Sequence, residues 1–214
     1  MSSLENLIPA AFPALALAHF LALLSPGQDF ILIAGHAIRH KLNGSRFICV
    51  GVALGNAIYI AIAIVGWTGI RDLPGLFSII ETMGACYLLW IGFQLLRSQR
   101  AEVIVAASAR SAPGVVRQLL LGLNSALLNP KNALFYMSLM TVILGNEVSL
   151  SQQIFCAVWM VFAVLGWDLL VASTVGHQHI QQFLSRKIHL FERGAGGVLM
   201  GFGIGLIFQS GGKA

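Results

Sequence analysis

Ala22-Leu23-Leu24-Ser25-Pro26-Gly27-Gln28-Asp29 and Ala126-Leu127-Leu128-Asn129-Pro130-Lys131-Asn132 are two versions of one phrase, set 104 residues apart. Each drops a polar residue, a proline and then a charge into an apolar run. Proline removes one helical hydrogen bond and clashes with the preceding turn, so each run reads as a helix broken in its interior. Further correspondences follow in the same order at an offset of 111: Leu54-Gly55 with Leu165-Gly166, and Glu81, Leu88 and Gly92 with Glu192, Leu199 and Gly203. Leu, Ala and Gly are abundant here, so no single match carries weight. Their common order does.

Composition says what these helices sit in. Of 214 residues, 57% are hydrophobic and 10% are charged, against roughly 25% charged in a soluble domain. A bilayer span takes about 20 apolar residues, so six spans use nearly all of the apolar content. A soluble enzyme domain is excluded, because a globule of this size cannot bury so much apolar surface. No polar block is long enough for an appended catalytic or nucleic-acid-binding domain. The net charge of +5 sits in short loops, where membrane topology explains it. Cys49, Cys86 and Cys156 stand singly, without the Cys-x-x-Cys of a thiol relay. Near the amino terminus, no Lys or Arg precedes the Ala-x-Ala patterns and Glu5 occupies the place of a positive region. The reading is a retained first helix.

Apolar runs between charge and Gly/Pro punctuation predict six spans, over residues 7–38, 47–70, 76–96, 116–144, 153–175 and 194–209. The first and fourth are long and hold the prolines. The sixth, about 24 Å at 1.5 Å per residue, must thin the bilayer or recruit the preceding turn. Three loops on one side then hold Arg39, Lys41, Arg46, Arg97, Arg100, Arg110, Arg117, Arg186, Lys187 and Arg193, against Arg71 and Lys213 on the other. The positive-inside rule puts the ten in the cytoplasm and both termini on the periplasmic side. The whole chain is one all-α transmembrane domain: repeat one over about 7–96, a cytoplasmic linker over about 97–115, and repeat two over about 116–210. Asn43-Gly44-Ser45 falls on the cytoplasmic face and reads as a turn, not a glycosylation site.

Three spans per half oblige the second half to insert upside down. Inverted repeats with interrupted helices in corresponding positions point to a secondary transporter with its site at the repeat interface. Backbone groups freed at the breaks must be satisfied by protein or by a water-filled cavity. Helix amino ends attract a carboxylate and freed carbonyls attract an ammonium, so such a chamber suits a zwitterion.

The candidate residues follow from that chamber. Asp29 is an intramembrane carboxylate, a functional hypothesis by default, and is expected to be the main proton-coupling group; capping its own half-helix is a compatible role. Asp168, after Gly166-Trp167, is the second. Lys131, alone in an apolar run, is free to bind a substrate carboxylate, to pair with Asp29 or Asp168, or to snorkel to the headgroups. Ser25, Gln28, Asn56, Asn129 and Asn132 are further substrate-binding candidates, and Pro26, Gly27 and Pro130 break the helices. Glu81 and Glu192, each read at the start of a span, are assigned to the helix dipole. His36 and the other histidines read as interfacial or structural. His177-Gln178-His179 does not place two ligands on one helical face, so no metal and no cofactor is expected. Gly201-Phe202-Gly203-Ile204-Gly205 follows no strand and is not a phosphate loop, and no Walker motif exists.

These residues resemble the LysE-type amino-acid exporter family, in particular its homoserine/threonine-exporter branch. The resemblance rests on Pro26-Gly27-Gln28-Asp29, the basic turn over residues 39–46, Gly51 to Asn56, Tyr87-Leu88 with Gly92, and Asn129-Pro130-Lys131 to Phe135, and covers essentially the full length. It implies export of a small amino acid or related metabolite across a bacterial inner membrane by proton antiport. It also implies a protein that is not an enzyme. Its partners would be the amino acid, protons and lipid, not nucleic acid. Where the family usually has proline after the first-span glycine, this chain has Gln28, so a substrate does not transfer from better-known members. A homodimer is compatible with so small a transporter, although no residue encodes it. The alternative is a divalent metal-ion exporter of related architecture, which would group His, Cys or Asp ligands on facing spans. A membrane-embedded enzyme would need a motif such as His-Glu-x-x-His, which is missing, and a passive channel would tolerate Asp29→Asn.

Overall fold

Proline and glycine punctuation sets most of the helix boundaries. The computed structural model describes residues 7–25, 27–70, 74–97, 111–129, 131–132, 135–136, 138–139, 148–175 and 177–211. Among these residues the chain is helical, with no strand. The first apolar run divides into α1 (Phe12–Leu23) and α2 (Gln28–His40), bent by 54° relative to one another. Pro13 stands in the first turn of α1, where its missing N–H would have no intrahelical partner in any case. A single 3₁₀ turn (Leu42–Gly44) leads into α3 (Arg46–Ile70), followed by α4 (Pro74–Leu96), α5 (Val115–Leu127), α6 (Leu150–Thr174) and α7 (Gln178–Gly211). Residues 131–132, 135–136 and 138–139 are helical as well. Pro26 and Pro130 lie outside the described residues, as do residues 98–110 of the expected linker.

α6 opens with a capping box. Ser149 Oγ accepts from the Gln152 amide at 3.3 Å, and Gln152 Oε1 accepts from the Ser149 amide at 3.0 Å. Two of the four donors that a helix start leaves unmade are thereby satisfied.

The sixth run departs most from expectation. α7 has 34 residues, about 50 Å at 1.5 Å per residue, and runs straight through the loop expected over residues 186–193. Residues 178–193 contain no glycine or proline to stop a helix, and Arg193 is exposed on α7, so their charges are compatible with helix. Glu192 therefore stands about four turns into α7, and Glu81 about two turns into α4; neither lies in a first turn. Glu192 is buried, which removes the helix-dipole explanation for it.

By length and composition, α3 over Arg46–Gly66 and α6 over Leu150–Thr174 are each able to cross a bilayer, and α1 with α2 passes as a bent pair. Thr82–Leu96 and Val115–Leu127 are shorter apolar helices. Large apolar side chains are exposed on these helices, among them Ile62, Val65, Phe162 and Phe208. Exposure on that scale marks a surface meant for lipid or for a partner.

Inside, two apolar clusters hold the helices. Leu15, Leu88, Met160 and Leu199 centre one, and Ile33, Ile48, Val52 and Val164 the other. α4 packs on α7, and α3 on α5 and α6. Small residues let the backbones close up. A Cβ on Gly92 would lie 2.8 Å from the Gly196 carbonyl oxygen and 2.6 Å from the Met200 side chain. One on Gly203 would lie 3.1 Å from the Ala85 carbonyl oxygen and 2.8 Å from the Leu89 side chain. Gly51 and Gly122 likewise press against the Leu119 and Ile48 carbonyls across α3 and α5.

Candidate functional site

Each proline leaves a carbonyl four residues upstream without its helical donor: Ala22 for Pro26, and Ala126 for Pro130. Both carbonyls are served by side chains from the second phrase. Lys131 Nζ donates to Ala22 O at 3.5 Å and to Ser25 O at 3.3 Å. Asn132 Nδ2 donates to Ala126 O at 3.4 Å. Two tyrosines close further carbonyls of the second break: Tyr59 donates to Leu127 O at 2.5 Å and Tyr87 to Lys131 O at 3.0 Å. The breaks are thus satisfied by protein, as the bilayer requires.

Asp29 sits in the first turn of α2 but makes no cap to its own helix. Its carboxylate reaches across to the other phrase. Ser125 Oγ donates to Oδ1 at 2.5 Å, and Oδ2 accepts from Asn132 Nδ2 at 2.8 Å and Asn129 Nδ2 at 3.2 Å. Asn129 Oδ1 in turn accepts from the Lys131 amide at 3.1 Å. Charge-assisted bonds of this kind are the stronger class. They tie the start of α2 to the second half of the molecule.

These groups surround a cavity of about 60 Å³, room for a few waters. Ser25, Gly27, Asp29, Asn56, Asn129, Lys131, Asn132 and Asp168 all line it. Gln28 does not, and its side chain is exposed. His36 is also absent from the lining; its Nδ1 donates to Leu32 O at 3.0 Å within α2. On the other side of Lys131 lies a wider cleft of about 330 Å³, bordered by Ser25, Gly27, Gln94, Lys131 and Glu192. Lys131 thus belongs to both spaces, half-buried between them.

Several site residues escaped the sequence reading. Ser125, Asn129 and Asn132 stand at i, i+4 and i+7 in the sequence, the spacing of one face of a continuous helix. That was the available signal for Ser125, although in the structure α5 ends at Leu127 and Asn129 lies in the break. His19, fully buried, meets Tyr136 OH through Nε2 at 3.4 Å. Both line the cavity beside Trp167. A histidine inside an apolar span was itself a signal. Among the described residues, Asp168 Oδ2, Asn56 Oδ1 and His19 Nδ1 are buried with no hydrogen-bond partner, and no three His, Cys, Asp or Glu side chains group to hold a metal ion.

Residues 20–210 match the family model of the LysE type translocators. The chain belongs to that family. It is therefore a multi-pass membrane transporter and not an enzyme. The threonine efflux protein of Escherichia coli (strain K12) is 29% identical over 206 residues, covering 92% of this chain and 98% of its own. The threonine efflux protein of Salmonella typhi is 29% identical over 210 residues with the same coverage. The leucine efflux protein of Enterobacter sp. (strain 638) is 31% identical over 125 residues, 56% of each chain. No solved structure matches this LysE-type chain.

Proposed function

We propose that the chain exports a small amino acid across the bacterial inner membrane by proton antiport. It does so on six spans arranged as two inverted three-helix repeats, with both termini in the periplasm. The observation that carries this reading is the cross-bracing of the two breaks. A carboxylate from the first phrase is held by two donors of the second and by Ser125 just before it, while the lysine of the second holds two carbonyls of the first. The bracing lines a polar cavity at the meeting point of the halves, where inverted-repeat transporters bind their substrates.

The repeat itself has support in the packing. Under the offset of 111, Gly92 against Gly196 and Met200 maps onto Gly203 against Ala85 and Leu89, and these are the contacts observed. Reciprocal contacts of that kind are those of a two-fold axis. Relatives named for threonine and leucine efflux support an amino acid as cargo and outward movement as direction. The cavity supplies both poles that a zwitterion needs: Lys131 with the asparagine amides for its carboxylate, and carboxylates Asp29 and Asp168 for its ammonium or for a proton. Rocking of one bundle against the other, about the Lys131 partition, would open the cavity to each side in turn.

Inside-out vesicles containing the purified protein, loaded to be acid inside, test this directly. A panel of radiolabelled amino acids is offered outside. Uptake of one class that collapses when the proton gradient is dissipated, and that is lost in Asp29→Asn, is the expected result. Uptake of no amino acid by the wild type would end this reading.

A further inference from the structure

The two carboxylates of the cavity are not equivalent. Asp29 has both oxygens engaged by three side-chain donors, at 2.5, 2.8 and 3.2 Å. Asp168 is 7% exposed and its Oδ2 has no partner among the described residues. Asn56, 3% exposed, has an unpartnered Oδ1 lining the same cavity. Buried acceptors without donors are costly, and they persist where a ligand completes them. Two acceptors, one of them a carboxylate, ask for a group with several N–H donors and a positive charge. The remaining ionisable groups turned toward Asp168 are already occupied, apart from one imidazole nitrogen. Lys131 holds the Ala22 and Ser25 carbonyls, Cys49 Sγ donates to Ser45 O at 3.4 Å, and Tyr136 meets His19. Among the described residues, Asp29 is the other carboxylate that lines the cavity.

We infer that Asp168, with Asn56, is the pole that receives the substrate's ammonium group, and that proton and substrate take the same Asp168 oxygen in turn. This rests on the exporter reading and adds its coupling step. The exchange balances: the protonated carboxyl gives up its O–H proton to the water leading out of the cavity. The resulting carboxylate then accepts N–H hydrogen bonds from the incoming ammonium. When the substrate leaves, a proton returns to the same oxygen. One occupant excludes the other, so one proton moves against one substrate. Asp29 is a positioning residue in this scheme, holding the two breaks together while Asp168 exchanges. The substrate carboxylate lies toward Lys131, at the partition with the wider cleft.

The test is proton release on binding. Detergent-solubilised wild type in lightly buffered solution receives L-threonine, or the panel amino acid that the vesicles carry. Trp167 beside the cavity reports binding and a dissolved pH dye reports protons. Where the carboxyl of the free protein is protonated, about one proton should appear per substrate bound, and the apparent Kd should fall about tenfold for each unit by which the pH is raised, as linkage requires for one displaced proton. Asp168→Asn keeps an acceptor oxygen but no exchangeable carboxyl proton. It should lose proton release and gradient-driven uptake. The wild type should prefer the amino acid over its hydroxy-acid analogue, which lacks the ammonium, by on the order of tenfold to a hundredfold, and Asp168→Asn should shrink that ratio. Wild-type binding with no proton released overturns the inference even if the variant fails to fold. Proton release that persists in a folded Asp168→Asn also overturns it. A wild type that binds no amino acid removes the exporter reading, and the inference falls with it.

Discussion

Among the described residues, Ser125 donates the shortest of the hydrogen bonds that hold Asp29, 2.5 Å to Oδ1, and is the one donor seen on that oxygen. Removing the hydroxyl leaves a half-buried carboxylate oxygen unserved. Hydrogen bonds to charged groups contribute about 1.5–3 kcal/mol in water-soluble proteins, while interhelical bonds in membranes average roughly 0.6 and reach about 1.7. Ser125→Ala is therefore expected to cost about 1–2 kcal/mol, read as a lower unfolding midpoint of the detergent-solubilised protein, and Ser125→Thr should recover most of the loss. An Ala variant as stable as wild type would show that the two phrases do not depend on this bond. The same residue shows what the sequence makes legible at this scale. Asp29, Lys131 and the asparagines announce themselves because charge and amide are expensive in an apolar run. A serine does not, since it is cheap to bury in a helix. In addition, the repeat aligns Ser125 with the apolar Leu21, so comparing the halves points away from it. Gln28 is the converse: polar and next to the break, yet turned outward, because neighbours in sequence do not share a helical face.

Among elements, the tightest seams are made by glycines that meet backbone rather than flexible side chains. A Cβ on Gly122 would press on the Ile48 carbonyl group and lie 2.9 Å from the Val52 amide nitrogen, neither of which can rotate away. Gly122→Ala should then push α5 off α3 at a cost of about 1–3 kcal/mol. Gly166 has nothing within 4 Å of the corresponding position, so Gly166→Ala should be neutral or stabilising by up to about 1 kcal/mol through helix propensity. Thermal unfolding of the two variants side by side separates seam from surface, and equal midpoints would mean that the α3–α5 approach is not a determinant of stability. Gly55 and Gly166 correspond in the repeat, yet only Gly55 abuts a neighbour, with the Ala126 Cβ 2.5 Å from its added carbon. Pattern alone finds the glycines without telling which are seams. The spans expected from 153 and 76 start a little earlier, at Leu150 behind the Ser149 capping box and at Pro74, because apolar runs mark a helix body and not its cap. The length of α7 was not legible. Arg186, Lys187, Glu192 and Arg193 read as a loop in a window of apolar spans, but an amphipathic stretch without glycine or proline continues a helix readily.

For the whole molecule the open quantity is its disposition in the bilayer, which charge asymmetry decides. Under the proposed arrangement, Arg39, Lys41, Arg46, Arg97, Arg100, Arg110 and Arg117 lie on one side against Arg71 and Lys213 on the other, which puts the turn at Asn43 in the cytoplasm; Arg186, Lys187 and Arg193 lie within α7 and not on a connection. The proposed arrangement puts three spans between Asn43 and Asn146, and an odd number of crossings would leave them on opposite sides. The native cysteines must first be replaced: Cys86 is exposed, whereas Cys49 and Cys156 are buried. In that background, Asn43→Cys should react with a membrane-impermeant maleimide in inside-out vesicles and stay silent in intact spheroplasts, and Asn146→Cys should do the reverse. Both reacting from one side would mean an even number of crossings between them and would dismantle the three-plus-three arrangement, and with it the inverted relation of the halves. Opposite sides with the polarity exchanged would keep the repeat but turn the molecule over. The Lys131 partition between the cavity and the cleft of about 330 Å³ would then be crossed in the opposite sense during export. The labelling pattern therefore fixes the direction in which the Lys131 partition must be crossed for export.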